Sequence, residues 1–386
     1  MIARTFPPAL VLAALAHPAS AQDSGIELAA AYTADVVSGL SGAADSKARY
    51  LGNLDLIADL DLDRLLGAEN TVVHVHVLQN HGARPNDAIG TLQGVDNIEV
   101  PAPGTRLFEA WVARDFGSYS LLAGLYDLNG EFYANEAASL LIAPPFGIGS
   151  ELAATGPNGP SIFPSTTLAV RLAAPLSADG GDYVRVAVLN ADASTIGDSD
   201  GVDLSFDEGL LGIAQFGTDK IGGIELAIGL WGYTKEREQL FGSDPAGPPQ
   251  TNPSWGGYID LAGQAWGSPG AGGRWFARGG FADHNTTPYD YGAQLGILVE
   301  PSFSGREGSA MSLGIHHAGT DVKFREMLRA DGIAAALHET AIEATFAEPL
   351  TDFLTVQPDL QFVINPGGVA HADPALVASL RVTIAL

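Results

Sequence analysis

Residues Ala375–Leu386 alternate without a break. Leu376, Ala378, Leu380, Val382, Ile384 and Leu386 fall on one face; Val377, Ser379, Arg381, Thr383 and Ala385 fall on the other. The period is that of a β-strand, not of a helix. In water, a strand with one wholly apolar face invites edge pairing. In a membrane the same strand has a use, because one face meets lipid, the other meets water, and the last strand closes on the first. Gly52–Asp63 repeats the pattern, with Gly52, Leu54, Leu56, Ala58, Leu60 and Leu62 on one side and Asn53, Asp55, Ile57, Asp59, Asp61 and Asp63 on the other. A helix would scatter these leucines and aspartates around its circumference.

Segments of this kind predict about sixteen strands from Ile26 to Leu386. The connections alternate in length. Long ones span Ser38–Leu51, Asn80–Gly104, Asn129–Pro164, Asp192–Phe206, Lys235–Trp255, Gly319–Ala336 and Asn365–Pro374, and His284–Pro288 is a short one in a long position. Tight turns are expected between them at Gly117-Ser118, Ser177–Gly181, Thr218–Lys220 and Pro349–Thr351. Long loops on one rim and short turns on the other describe an all-β, transmembrane antiparallel barrel. At sixteen strands such a barrel encloses an aqueous lumen. Asn129–Pro164 is rich in Gly and Pro and has no Lys or Arg. A loop this long is usually functional, so this third long loop is expected to fold inward and narrow the lumen, with Phe146, Glu151 and Asn158 among its constriction residues.

The amino terminus reads as an export signal. Arg4 precedes the apolar run Ala9–Ala16, and Ala19-Ser-Ala21 has the pattern of a cleavage site. Residues 1–21 are therefore expected to be a signal peptide and residues 22–386 a single barrel domain in the outer membrane. The chain carries 45 Asp+Glu against 19 Lys+Arg, which speaks against nucleic acid as a partner. With no cysteine, disulfide and thiolate chemistry are excluded.

Alternation nominates the lumen residues. Glu109 and Trp111 share a face opposite Phe108, Ala110 and Val112; Arg171 and Arg185 each stand between apolar neighbours; Arg274 and Arg278 share a face, as do Glu339 and Glu343. An arginine facing lipid near the midplane costs roughly 2–4 kcal/mol, so these arginines are expected to point inward. Arg, Glu, Asn and Trp together offer donors and acceptors for sugar hydroxyls and a flat apolar surface for a sugar ring. Trp255 and Trp266 also suit an interfacial girdle. His74 and His76 have the spacing of two metal ligands on one strand, but no third ligand is evident from the pattern, and no metal or other cofactor is expected. Asp198-Ser-Asp200-Gly201 with Asp203 resembles the start of a calcium loop, yet no Glu stands at the twelfth position. Ser312 with His316 and His317 is the nearest material for a barrel hydrolase.

Around the third loop, Leu125-Tyr-Asp127 followed by Phe132, Pro145-Phe-Gly147 and Asn158-Gly-Pro-Ser-Ile-Phe-Pro164 occur in sequence. Glu343, Gln357-Pro-Asp-Leu-Gln361 and Asn365-Pro-Gly367 follow much later. This set resembles the carbohydrate-selective porin family, the OprB-like sugar porins. The resemblance implies a sixteen-stranded outer-membrane barrel that passes monosaccharides such as glucose. Its polar and charged lumen residues would lie near an inward loop, and Asp127 falls within the matched motif. Partners implied are mono- and small saccharides and outer-membrane lipid, with the chain a monomer or a homotrimer. The alternative is a general porin that prefers cations, which the acidic excess supports if the acids line the pore.

Overall fold

The structure, a computed structural model, describes residues 24–242 and 249–386. The signal-peptide expectation for residues 1–21 lies outside them. Sixteen strands follow one another around a closed antiparallel barrel. The first five are β1 (Ile26–Ser41), β2 (Arg49–Asp61), β3 (Thr71–Gly82), β4 (Gly104–Phe116) and β5 (Tyr119–Tyr126). After the third long loop come β6 (Thr167–Pro175), β7 (Asp182–Asn190), β8 (Leu210–Ile221) and β9 (Ile224–Tyr233). The remainder are β10 (Trp255–Ser268), β11 (Ala271–Ala282), β12 (Tyr289–Glu300), β13 (Ala310–Thr320), β14 (His338–Thr351), β15 (Leu354–Ile364) and β16 (Ala375–Ala385). A two-stranded ribbon, Arg237–Glu238 with Thr251–Asn252, decorates the loop between β9 and β10.

The seam joins β1 to β16, with Val36 opposite Leu380 and Asp35 opposite Arg381. Cross-strand partners share a face, so the Val36–Leu380 pair meets lipid while the Asp35–Arg381 pair, one residue along, faces the lumen, as the two-residue period requires. Leu56, Leu230, Leu295, Leu313 and Leu380 are each 45–62 % exposed on the outer wall. No soluble protein tolerates a continuous apolar belt of that kind, whereas a bilayer solvates it. Trp255 and Trp266, both more than half exposed, stand at opposite ends of β10, where a girdle residue belongs.

Several strand ends differ from the sequence expectation. The turn expected at Thr218–Lys220 lies instead at Gly222-Gly223, because two consecutive residues with positive φ (61° and 81°) close the hairpin there. The turn expected at Pro349–Thr351 moves to Asp352-Phe353. Pro349 stays in β14 beside a register shift, a place where its missing N–H is tolerated. The loop after β13 contains a helix, Val322–Ala330, whose N-cap Asp321 accepts from the backbone N–H groups of Lys323 and Phe324. Phe108 does not face away from Glu109. The pairing of β3 with β4 slips by one residue at this point, and the Phe108 ring turns edge-on to His76 at 5.2 Å on the lumen side. A bulge re-aims side chains in this way.

Candidate functional site

The third loop, residues 127–166, lies inside the barrel and is tied to the wall by inward-facing side chains. Glu343 on β14 accepts from the backbone N–H groups of Ile142 (2.5 Å) and Ala143 (2.9 Å). Arg278 on β11 donates to the carbonyls of Pro145 (2.6 Å), Tyr133 and Gly147 (both 3.2 Å). Arg171 on β6 pairs with Glu131 at 2.7 Å, and Arg185 on β7 donates to the Glu131 carbonyl. Asp260, Gln215 and Gln357 hold further loop atoms from β10, β8 and β15. Each bond to a charged partner contributes roughly 1.5–3 kcal/mol against the entropy of ordering a glycine-rich loop.

Apolar contacts complete the attachment. Tyr133 stacks on Tyr258 at 4.0 Å, while Phe132 and Leu152 join Leu189, Leu211, Ile213 and Trp231 in one buried cluster. Phe146 packs edge-on to Phe276 and His316. Loop and wall approach so closely that a Cβ at Gly280 would lie 2.0 Å from Glu151. Glu151 is fully buried and accepts from the Tyr133 hydroxyl. Burial pushes its carboxyl above the ordinary range, against the opposing pull of Tyr133 and Arg278.

A second loop also enters the lumen, which the sequence reading did not expect. In residues 83–103, the backbone N–H groups of Leu92 and Gln93 donate to Glu339 on β14. Gln361 on β15 donates to the Val95 carbonyl, and Arg381 on β16 donates to Asn97. Val95 is buried against Val37, Leu51, Val363 and Val377, all lumen-side residues. Burial and the charge of Asp35 push the carboxyl of Asp96 well up, with Arg381 opposing. The two loops meet where Ser150 donates to the Gln93 side chain at 3.0 Å.

The inward residues of β2 and β3 bond from strand to strand instead. Asn80 donates to Asn53, Asp55 bonds to His76 at 2.9 Å, and Asp59 bonds to His74 at 2.8 Å. Glu109 on β4 accepts from the Trp111 indole at 3.0 Å and from the backbone N–H of Asp127 at 3.1 Å. Trp111 is half-buried and lies flat on His74, with ring centroids 4.7 Å apart. Asp127 caps the turn that opens the third loop, accepting from Asn129. Burial, and then the charge of Glu109, push Asp127 up to about 8.

The nominated residues thus divide into two groups. Arg171, Arg278, Glu339 and Glu343 face inward but are buried beneath the loops, so they hold the constriction in place instead of presenting charge to a water-filled path. Phe146 and Glu151 are likewise buried anchors. Asn158 ties the third loop to Asp192 of the next loop at 2.6 Å. Glu109, Trp111, Arg185 and Arg274 remain partly accessible, and Arg274 bridges Glu136 and Glu225. Sequence reasoning missed Arg381, which sits in the alternating terminal strand and pairs with the fully buried Asp35 at 2.7 Å. It also missed Arg106, which pairs with Asp198 at 2.6 Å and accounts for one acid of the calcium-loop motif. Ser312 donates to the Ile297 carbonyl from the inner wall, whereas His317 stands on the outer wall bonded to Tyr291 and Thr340, so the two do not meet.

The geometry is that of a sixteen-stranded channel narrowed by folded-in loops, and comparison with known proteins identifies its lineage. The profile described as carbohydrate-selective porin, OprB family, matches residues 45–386. Porin B of Pseudomonas aeruginosa is 24 % identical over 404 residues, spanning 93 % of this chain and 87 % of that protein. The high-pH structure of Pseudomonas putida OprB aligns with a TM-score of 0.84 at 20 % identity over 95 % of both chains. The outer membrane channel DcaP of Acinetobacter baumannii aligns with a TM-score of 0.57 at 11 % identity, over 94 % of this chain and 97 % of that one. These structural likenesses concern the fold, and the profile match carries the family. The chain belongs to the carbohydrate-selective porin family, OprB, and is an outer-membrane sugar porin.

Proposed function

We propose that monosaccharides such as glucose, with other small hydrophilic solutes, diffuse passively through this channel along the β2–β4 wall, with no catalysed step. The observation that carries this reading is the division of the lumen. Both inward loops take their anchors mainly from β6–β16, whereas the polar side chains of β2 and β3 bond among themselves. Trp111 offers the ring face that does not stack on His74, and Asp59, partly exposed beside His74, is an acceptor for hydroxyl groups. Arg185 and Arg274 supply donors elsewhere on the wall. The apolar outer belt takes outer-membrane lipid as its solvent.

One observation favours a second reading, a general porin that prefers cations. Arg106, Arg171, Arg278 and Arg381 are all spent on loop or strand partners, while Asp59 keeps 35 % of its side chain exposed. A lumen whose accessible charge is mostly acidic attracts cations. Liposome swelling separates the two. Faster uptake of glucose than of a neutral non-sugar of equal size, lost in Trp111→Ala, is the expected result. Equal neutral rates with cations outpacing anions would replace the sugar-selective reading by the cation-preferring one.

A further inference from the structure

We propose that His74, His76 and Glu109 form a binding site for a divalent transition-metal ion, zinc by donor chemistry, in the lumen wall. The strand pairing supplies the third ligand that the His-x-His spacing lacked, since Trp111 lies opposite His74 and Glu109 lies opposite His76 across β3 and β4. One ligand atom from each of the three residues lies within 4.8 Å of the others.

The hydrogen bonds leave the right atoms free. With Nδ1–H of His74 donating to Asp59 at 2.8 Å, the neutral imidazole carries its lone pair on Nε2. With Nε2–H of His76 donating to Asp55 at 2.9 Å, its neutral form carries the lone pair on Nδ1. Both lone pairs point toward one oxygen, Oε2 of Glu109, at 3.6 and 4.0 Å. The other oxygen of Glu109 is already occupied by the Trp111 and Asp127 donors. These separations are too long for hydrogen bonds. They approach the spacing of about 3.3 Å between ligands that share a tetrahedral zinc at bonds of 2.0–2.1 Å. With both imidazoles neutral, three acceptor atoms converge on one point, and a metal ion bound there takes the place of the proton that otherwise lies between imidazole and carboxylate.

The surroundings also match a metal site. In metal centres each ligating imidazole commonly gives its second N–H to a carboxylate, which fixes the tautomer and raises ligand basicity. Asp59 and Asp55 do so here. Trp111 stacked on His74 at 13° and Phe108 edge-on to His76 hold the two rings in place. Two imidazoles and a carboxylate suit zinc better than magnesium or calcium, which take oxygen ligands.

The test is zinc retention by the folded, tag-free porin in detergent, measured by metal analysis after gel filtration from micromolar zinc, with cobalt(II) as an optical probe. The expected result is one equivalent lost in His76→Ala and in Glu109→Gln but retained in His284→Ala, which disrupts the separate cluster of His284, Asp290 and Asp321. Cobalt should give the strong visible bands of a tetrahedral site in the native chain and none in His76→Ala. Asp59→Asn leaves both imidazoles present, and its zinc affinity should fall roughly 10- to 100-fold. Barrel folding of each variant is verified by its shift on heating in gel electrophoresis. No zinc retained by the native chain, equal retention in folded His76→Ala, or unchanged affinity in Asp59→Asn would each overturn the proposal.

Discussion

Arg278 is the most heavily used tether of the third loop, and its removal makes the sharpest test of how the constriction is held. The residue is 4 % exposed; its guanidinium donates to three loop carbonyls at 2.6, 3.2 and 3.2 Å and also lies over the Tyr133 ring. Taking the lower end of the range for charged hydrogen bonds and discounting the two long ones gives a loss of about 4 kcal/mol in Arg278→Ala. Water entering the vacated space recovers some of this, so the figure is an upper bound. A change of that size raises the fraction of time the loop stands detached by roughly a thousandfold. Cleavage of a transiently open segment tracks that fraction when reclosing is fast. Trypsin is useless here because residues 127–166 contain no Lys or Arg, but chymotrypsin has Phe132, Tyr133 and Phe146 to attack. The expected outcome is loop cleavage within an intact, heat-modifiable barrel, with larger and noisier single-channel conductance. Native cleavage rates together with native conductance would refute the assignment of Arg278 as a principal tether.

Other perturbations report on other parts of the channel. Arg381→Ala strands the fully buried Asp35 at the seam, which should cost about 3–5 kcal/mol and lower the temperature at which the barrel converts to its unfolded gel mobility. Asp35→Asn in that background should restore part of the loss. Asp127 is raised from 3.8 to about 8, so the folded chain binds more protons than the unfolded one between those values. Stability to denaturant should therefore fall as pH rises from 4 to 8, and this slope should flatten in Asp127→Asn. Gly280→Val places a Cβ against Glu151 and should displace the third loop, raising conductance without unfolding the barrel.

The barrel was legible in the sequence because lipid and water sort residues with a strict period of two, and every expected strand has a counterpart in the wall. Strand ends were less legible, since Gly222-Gly223 outcompeted Thr218–Lys220 as a hairpin turn through backbone geometry alone. The inward third loop could be read from its length and its lack of basic residues. The inward second loop could not, because its anchors Glu339, Gln361 and Arg381 lie hundreds of residues away and carry no local mark. Alternation identified which charges point inward but was blind to what covers them. For that reason Arg171 and Arg278 read as pore charges although they are tethers. The same limit hid Glu109 as the companion of His74 and His76, a relation made only by the pairing of β3 with β4.

The tethers also impose an order on assembly. The second loop is held by β14, β15 and β16, and the third loop takes Glu343 and Gln357 from β14 and β15. Contacts of such long sequence separation form late, because the intervening chain must first be brought together. A chain whose final strands have not yet docked against β1 has its second loop unfastened and its third loop held by β6–β11 alone, without Glu343 and Gln357. Final width thus comes with closure. The channel reaches its narrowest form only when it becomes complete, so an unfinished barrel would leak where a finished one discriminates.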